Sequence, residues 1–143
     1  MKPPDWQRWC EERPVLTGRP RITCLCGSTR FMQTFHDVGS ILTLQDNIVL
    51  SVGVCKHARD HWGEALGQAI VDALDALHLR KIDLADDVWC LNVGGYIGES
   101  TAREIAYAML HGKTLHWLEP ARKQEALVKV KAAGLFEEPS HEN

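Results

Sequence analysis

Arg21-Ile22-Thr23-Cys24-Leu25-Cys26-Gly27-Ser28-Thr29-Arg30 decides how the rest of the chain is read. Its β-branched and apolar residues run to Cys26 and stop at Gly27-Ser28, which predicts a buried strand ending in a tight turn. From Thr29 to about Gln45, Phe31, Met32, Phe35, Val38, Ile41, Leu42 and Leu44 return every three or four positions, so a helix follows. The alternation then repeats. Asn47 to Val54 reads as a second strand and Lys56 to Trp62 as a polar loop. Ala65, Leu66, Ala69, Ile70, Ala73, Leu74 and Leu77 resume helical spacing, and Asp86-Asp87 ends that helix. Val88 to Val93 is a third strand leading into the glycine-rich Gly94-Gly95-Tyr96-Ile97-Gly98. Thr101 to His111 is a helix stopped by Gly112, Thr114 to Leu118 a fourth strand, and Arg122 to Ala133 a last helix. Such alternation predicts parallel strands joined by right-handed crossovers. The expected fold is α/β, a small doubly wound parallel sheet of four to five strands with helices on both faces.

The chain has 143 residues, room for one domain. That domain is expected over 21–136. Residues 1–20, with Pro3, Pro4, Pro14, Gly18 and Pro20, read as an irregular arm holding at most a helical turn around Trp6 to Glu12, and 137–143 as a frayed tail. Apolar residues at 45% and charged residues at 24% exclude disorder, collagen and coiled coil. Sixteen Lys+Arg against 19 Asp+Glu give a net charge of -3, so no basic field exists to attract polymeric nucleic acid or anionic lipid. No apolar run approaches the roughly 20 residues of a membrane span, and the first residues lack the apolar segment of a secretory signal. A cytoplasmic protein with a small-molecule partner is expected, touching neither polymeric nucleic acid nor membrane.

Of the five cysteines (Cys10, Cys24, Cys26, Cys55 and Cys90), Cys24, Cys26 and Cys90 lie in apolar runs and read as buried, reduced thiols. The metal-like spacing Cys55-x-His57-x3-His61 lacks a fourth ligand and reads as a mixed polar loop. No metal site is expected.

Ligands of such sheets bind beyond the carboxyl ends of the strands, at the point where strand order reverses. After the first strand, Gly27 can bring its backbone close to a ligand, Ser28 and Thr29 offer hydroxyls, and Arg30 adds a guanidinium at a helix N-terminus. Together they suit a phosphate monoester. The plainer alternative is that Ser28 or Thr29 caps the helix and Arg30 is solvated. The segment is neither a Walker A loop nor a G-x-G-x-x-G motif.

After the third strand, Thr101-x-x-Glu104 fits a capping box. Alternatively Glu104, in the first turn of a helix aimed at the crevice, stays ionised and serves as a nucleophile on an anomeric carbon. Gly98-Glu99-Ser100-Thr101-Ala102 is a degraded nucleophile elbow; the chain is too short for that hydrolase fold, and His111, His116 and His141 have no acid partner in the required order. Trp62, Trp89 and Trp117 read as core or interface residues. Tyr96, on the glycine-rich loop, is the better candidate for stacking on a base.

With these residues on the page, Arg21 to Leu118 resembles the nucleoside 2-deoxyribosyltransferase superfamily, which includes the 2'-deoxynucleoside 5'-phosphate N-hydrolases. Cys26-Gly27-Ser28-Thr29-Arg30 is similar to the hydrolases' phosphate loop. Glu104-Ile105-Ala106-Tyr107-Ala108-Met109-Leu110-His111-Gly112-Lys113 is similar to the block that follows the family's catalytic glutamate, and is the more specific match. The resemblance implies a flavodoxin-like fold, a homodimer with sites near its interface, and cleavage of the base–deoxyribose bond without a cofactor. It assigns Glu104 to the nucleophile, Gly27 and Arg30 to phosphate binding, and Ser100 and Thr101 to the meeting of helix and ligand.

The family also has an aspartate roughly two dozen residues before the glutamate, which bonds the sugar and assists the leaving base. Here that position falls at Leu79 and Arg80, between Asp75 and Asp83. Asp83 is taken as its substitute, which requires a shift of the helix along its axis, with His78 as second choice. The expected activity is N-glycosidic cleavage of a (deoxy)nucleoside 5'-monophosphate or the related deoxyribosyl transfer. The alternatives are a nucleotide-binding module without turnover and an NAD-type glycohydrolase.

Overall fold

Side chains alternate across a strand, and the apolar residues of the central strands therefore divide between two faces of one sheet. In the computed structural model, which describes residues 18–53 and 67–133 together with Arg8 and Glu12, the elements follow in chain order. They are β1 (Ile22–Gly27), α1 (Met32–Leu44), β2 (Ile48–Leu50), α2 (Gln68–Leu84), β3 (Asp87–Leu91), α3 (Glu99–Leu110), β4 (Thr114–Trp117) and α4 (Lys123–Ala132). All four strands are parallel, in the order β2-β1-β3-β4. β1 and β3 form the centre, with Cys24 opposite Val88, Cys26 opposite Cys90 and Gly27 opposite Leu91.

Cys24, Cys26, Val88 and Cys90 face one way and pack with Ile82 of α2, Ala102, Ile105 and Ala106 of α3, and Val130 of α4. Leu25 and Leu91 face the other way, onto Phe35, Val38 and Leu42 of α1. Helices cover both faces, so the fold is a small doubly wound, flavodoxin-like α/β sheet. Because β1 has β2 on one side and β3 on the other, the connections leaving β1 and β3 diverge and open a crevice at their carboxyl ends.

Several boundaries differ from the sequence reading. β2 keeps three residues of the expected Asn47 to Val54, since it lies at the sheet edge and pairs only with Ile22, Thr23 and Cys24. A 3-10 turn, Thr29–Phe31, precedes α1. α3 starts at Glu99 rather than Thr101, with Gly98 as its cap residue. Arg8 and Glu12 are both helical, and their side chains pair at 3.0 Å, as expected of a helical turn there. The remainder of the arm, the 137–143 tail, Trp62 and the Cys55-x-His57-x3-His61 spacing lie outside the described residues.

Asp86 holds the base of the sheet together. Its Oδ2 accepts from the Ile22 amide at 2.8 Å, its own amide donates to the Ile22 carbonyl at 2.7 Å, and Arg19 pairs with Oδ1 at 2.7 Å. The amide bond first and the guanidinium second hold this carboxyl below its ordinary pKa. Among the described residues, no helix is long and apolar enough to cross a membrane.

Candidate functional site

The crevice between β1 and β3 contains a cleft of about 400 Å³. Gly27, Ser28 and Thr29 line it from the end of β1; Tyr96, Ser100 and Thr101 line it from beyond β3; Gln68 and Asp75 of α2 close a third side. Six of the seven residues expected to bind substrate thus meet around one space. The seventh, Arg30, does not line it, although its guanidinium stands 4.8 Å from the ring centre of Tyr96, which does. Lys129 Nζ lies 4.7 Å from that centre and Phe31 meets the ring edge-on, so Tyr96 is held among cations and an aromatic.

Ser28 plays the plainer role weighed for it. Its backbone is extended and its Oγ accepts from the Arg30 amide at 3.4 Å, which caps the 3-10 turn. Gly27 is required first by packing: a Cβ there would stand 2.8 Å from Leu91 Cβ and 3.3 Å from Phe35 Cζ. Trp89 and Trp117 pack against the two cores, as read from the sequence.

Glu104 is not part of a capping box and does not lie in the first helical turn. With α3 capped at Gly98, Thr101 lies inside the first turn and cannot be the cap of a capping box. Glu104 falls in the second turn, past the strongest part of the helix dipole. It is 6% exposed and faces a separate cavity of about 30 Å³, together with Asp75, His78 and Lys81.

Asp75 borders both the small cavity and the large cleft. Its Oδ2 accepts from Ser100 Oγ at 3.2 Å and lies 3.7 Å from the Arg103 guanidinium. This carboxylate, rather than Asp83, is the one α2 brings to the site. Asp83 is eight residues further along the helix, about 12 Å at 1.5 Å per residue. There it accepts from Tyr107 Oη at 2.5 Å, while its carbonyl accepts from Lys113 at 3.2 Å. The Tyr107 bond and then Arg80 lower the Asp83 pKa, and the same bond raises that of Tyr107. The physical reason is directional. A crossover helix begins near the carboxyl ends of the strands and descends to their amino ends, which carries the last turn of α2 away from the crevice.

His78 lies one turn below Asp75 and is buried. Its Nε2 stands 3.6 Å from Cys24 Sγ, 3.5 Å from Cys26 Sγ and 3.8 Å from Glu104 Oε2. A hydrogen bond from the Cys26 thiol, helped by His78 and opposed by burial, lowers the Cys24 pKa to about 6. That bond, with burial, pushes Cys26 well above the ordinary thiol value. Burial alone would lower the His78 pKa, but its bond to Cys24 and the charges of Glu104 and Cys24 outweigh it and raise the value. Cys90 is pushed up, mainly by burial and then by the Glu104 charge. Cys24, Cys26 and Cys90 are free and buried, as expected.

The sequence reading named Asp75 beside Asp83 but chose Asp83, and it passed over the Cys24–Cys26–His78 cluster. Signals for both exist: residues three apart on a helix share a face, as Asp75 and His78 do, and Cys-x-Cys on a strand presents both thiols to one side. No family model, no curated protein and no solved structure matches this chain.

Proposed function

We propose that this protein is an N-glycosidase of the nucleoside 2-deoxyribosyltransferase type, acting on a (deoxy)nucleoside 5'-monophosphate. The observation that carries the reading is the shared cleft, in which the Gly27-Ser28-Thr29 turn faces Ser100 and Thr101 with Asp75 between them. Turn amides and Arg30 hold the phosphate, and Tyr96 covers the base. A sugar hydroxyl displaces Ser100 from Asp75, which lets the ring approach the cavity that Asp75 shares with Glu104. The Glu104 carboxylate then bonds to C1' as the base leaves with its bonding pair and takes a proton; water hydrolyses the resulting ester. Asp75 takes the sugar-binding role assigned above to Asp83. Exposed Ile70, Leu77 and Leu84, seven residues apart on α2, support a homodimer, and reduced buried thiols support a cytoplasmic setting.

The burial of Glu104 favours a second reading, a nucleotide-binding module without turnover. Incubation with a panel of ribo- and deoxynucleoside monophosphates and NAD separates the possibilities. The glycosidase reading expects free base from at least one monophosphate and none from the Glu104→Gln variant. Thermal stabilisation by a monophosphate without any base release establishes the binding module instead. Release from NAD alone identifies a dinucleotide glycohydrolase.

A further inference from the structure

Beneath the cleft, outside the sugar chemistry proposed above, three ligand atoms converge. The thiols of Cys24 and Cys26 project from the same face of β1, and His78 descends on them from α2. Their two sulfurs and one imidazole nitrogen all lie within 4.8 Å of one another. Zinc binds thiolate at about 2.3 Å and imidazole at about 2.0–2.1 Å, and a tetrahedral angle between those bonds separates sulfur from nitrogen by about 3.5–3.6 Å. The two observed separations, 3.6 and 3.5 Å, match that spacing without movement of the ring. Glu104 Oε2, 3.8 Å from the same nitrogen, stands within about half an ångström of the oxygen–nitrogen spacing in such a tetrahedron.

The surroundings supply the remaining requirements. Val88, Cys90, Ile82 and Ile105 shield the cluster from bulk water. The 30 Å³ cavity against His78 and Glu104 has room for an arriving ion or a water, which needs about 10–15 Å³. Lys81 also borders this cavity, so its cation offsets the residual negative charge of two thiolates, a carboxylate and a divalent ion.

We propose that Cys24, Cys26 and His78 form a zinc site, with Glu104 as the fourth ligand. Two sulfurs and an imidazole select a borderline-soft ion and disfavour magnesium and calcium, which require oxygen ligands. The site binds the ion as two thiolates and a neutral His78 ring through Nε2, any proton that these three groups carry passes to solvent, and no electron is transferred. The inference does not rest on the glycosidase reading, but it has a consequence for it. Zinc and a sugar carbon compete for the Glu104 carboxylate, so an occupied site is silent in hydrolysis.

The test uses the full chain, stripped with chelator and kept reduced and anaerobic, titrated with cobalt(II) and then zinc. Expected are one cobalt per chain, a thiolate-to-cobalt charge-transfer band in the near ultraviolet, and visible bands of tetrahedral cobalt. One equivalent of zinc should bleach all of them. The Cys24→Ser and His78→Gln variants lose the tetrahedral spectrum, whereas Cys10→Ser/Cys55→Ser, altered outside the cluster, keeps it in full. Lack of stoichiometric binding and of a charge-transfer band in the unaltered chain overturns the proposal. So does disappearance of the band in Cys10→Ser/Cys55→Ser, which would assign the metal to the other cysteines even if the cluster variants do not fold. Every readout is metal binding, so failure of base release leaves the outcome of this test unaffected.

Discussion

Replacing Gly27 by alanine should destabilise the protein, while the same change at Gly39 should stabilise it. At Gly27 the new methyl would sit 2.8 Å from Leu91 Cβ, at least about 0.6 Å inside ordinary contact. A Cβ cannot rotate away, so the central strands β1 and β3 must part where Gly27 and Leu91 stand in register. Forced overpacking of this kind costs about 1–3 kcal/mol, and an immovable neighbour favours the upper half of that range. Alanine also lowers the entropy of the unfolded chain, which returns about 0.4–1 kcal/mol. The net loss is about 1–2.6 kcal/mol, or about 3–12 °C in Tm for a chain of this size.

Gly39 is inside α1, where an added Cβ meets only Leu25 Cδ1 at 3.8 Å and Val49 Cγ1 at 3.9 Å. Alanine there should gain about 0.5–1 kcal/mol from helix propensity. Thermal melts and urea titrations of the two variants against the parent provide the assay. A Gly27→Ala protein as stable as the parent, or a Gly39→Ala protein less stable, would refute the packing argument.

Asp75→Asn should lower base release at least about 100-fold, the scale of a lost acid–base or orienting group, while Asp83→Asn stays within about twofold of the parent. Initial rates on the best monophosphate decide between them, and equal losses would remove Asp75 from its role. Asn92 is fully buried, donating to the Glu119 carbonyl at 3.0 Å and accepting from its amide at 2.9 Å. Asn92→Ala strands both groups and should cost about 2–4 kcal/mol, seen as a lower urea midpoint at unchanged slope. Asp86 has a folded pKa below its ordinary 3.8, so its contribution is complete above that value and lost as pH falls through the depressed one. Asp86→Asn should therefore flatten the decline of stability between about pH 5 and pH 2; a decline as steep as the parent's would show that other carboxylates cause it.

The layered fold was legible because two periodicities carry it. Alternate residues of Arg21 to Cys26 and Val88 to Val93 fill two cores, and the three- and four-residue spacing of Phe35, Val38 and Leu42 supplies one helical face. The cleft was legible for a related reason: in a doubly wound sheet, loops after neighbouring central strands must meet, so Gly27 to Thr29 had to face the start of α3. Tyr96 follows from that topology; Ser100 and Thr101 are what the family resemblance implies, and they line the same cleft.

Local pattern by itself could not determine how far each helix slides along the sheet or at which residue it begins. An eight-residue choice between Asp75 and Asp83 looks symmetrical around Leu79 in the sequence, and only the descent of α2 from the crevice separates them by about 12 Å. Likewise Glu99, rather than Thr101, starts α3, which moves Glu104 from the first turn to a buried position against His78. The meeting of Cys24, Cys26 and His78 joins residues more than 50 positions apart. Strand periodicity determined which way the thiols point; the packing of α2 on that face decided what they meet, because side-chain contact between elements depends on axial offset and rotation that no single element encodes.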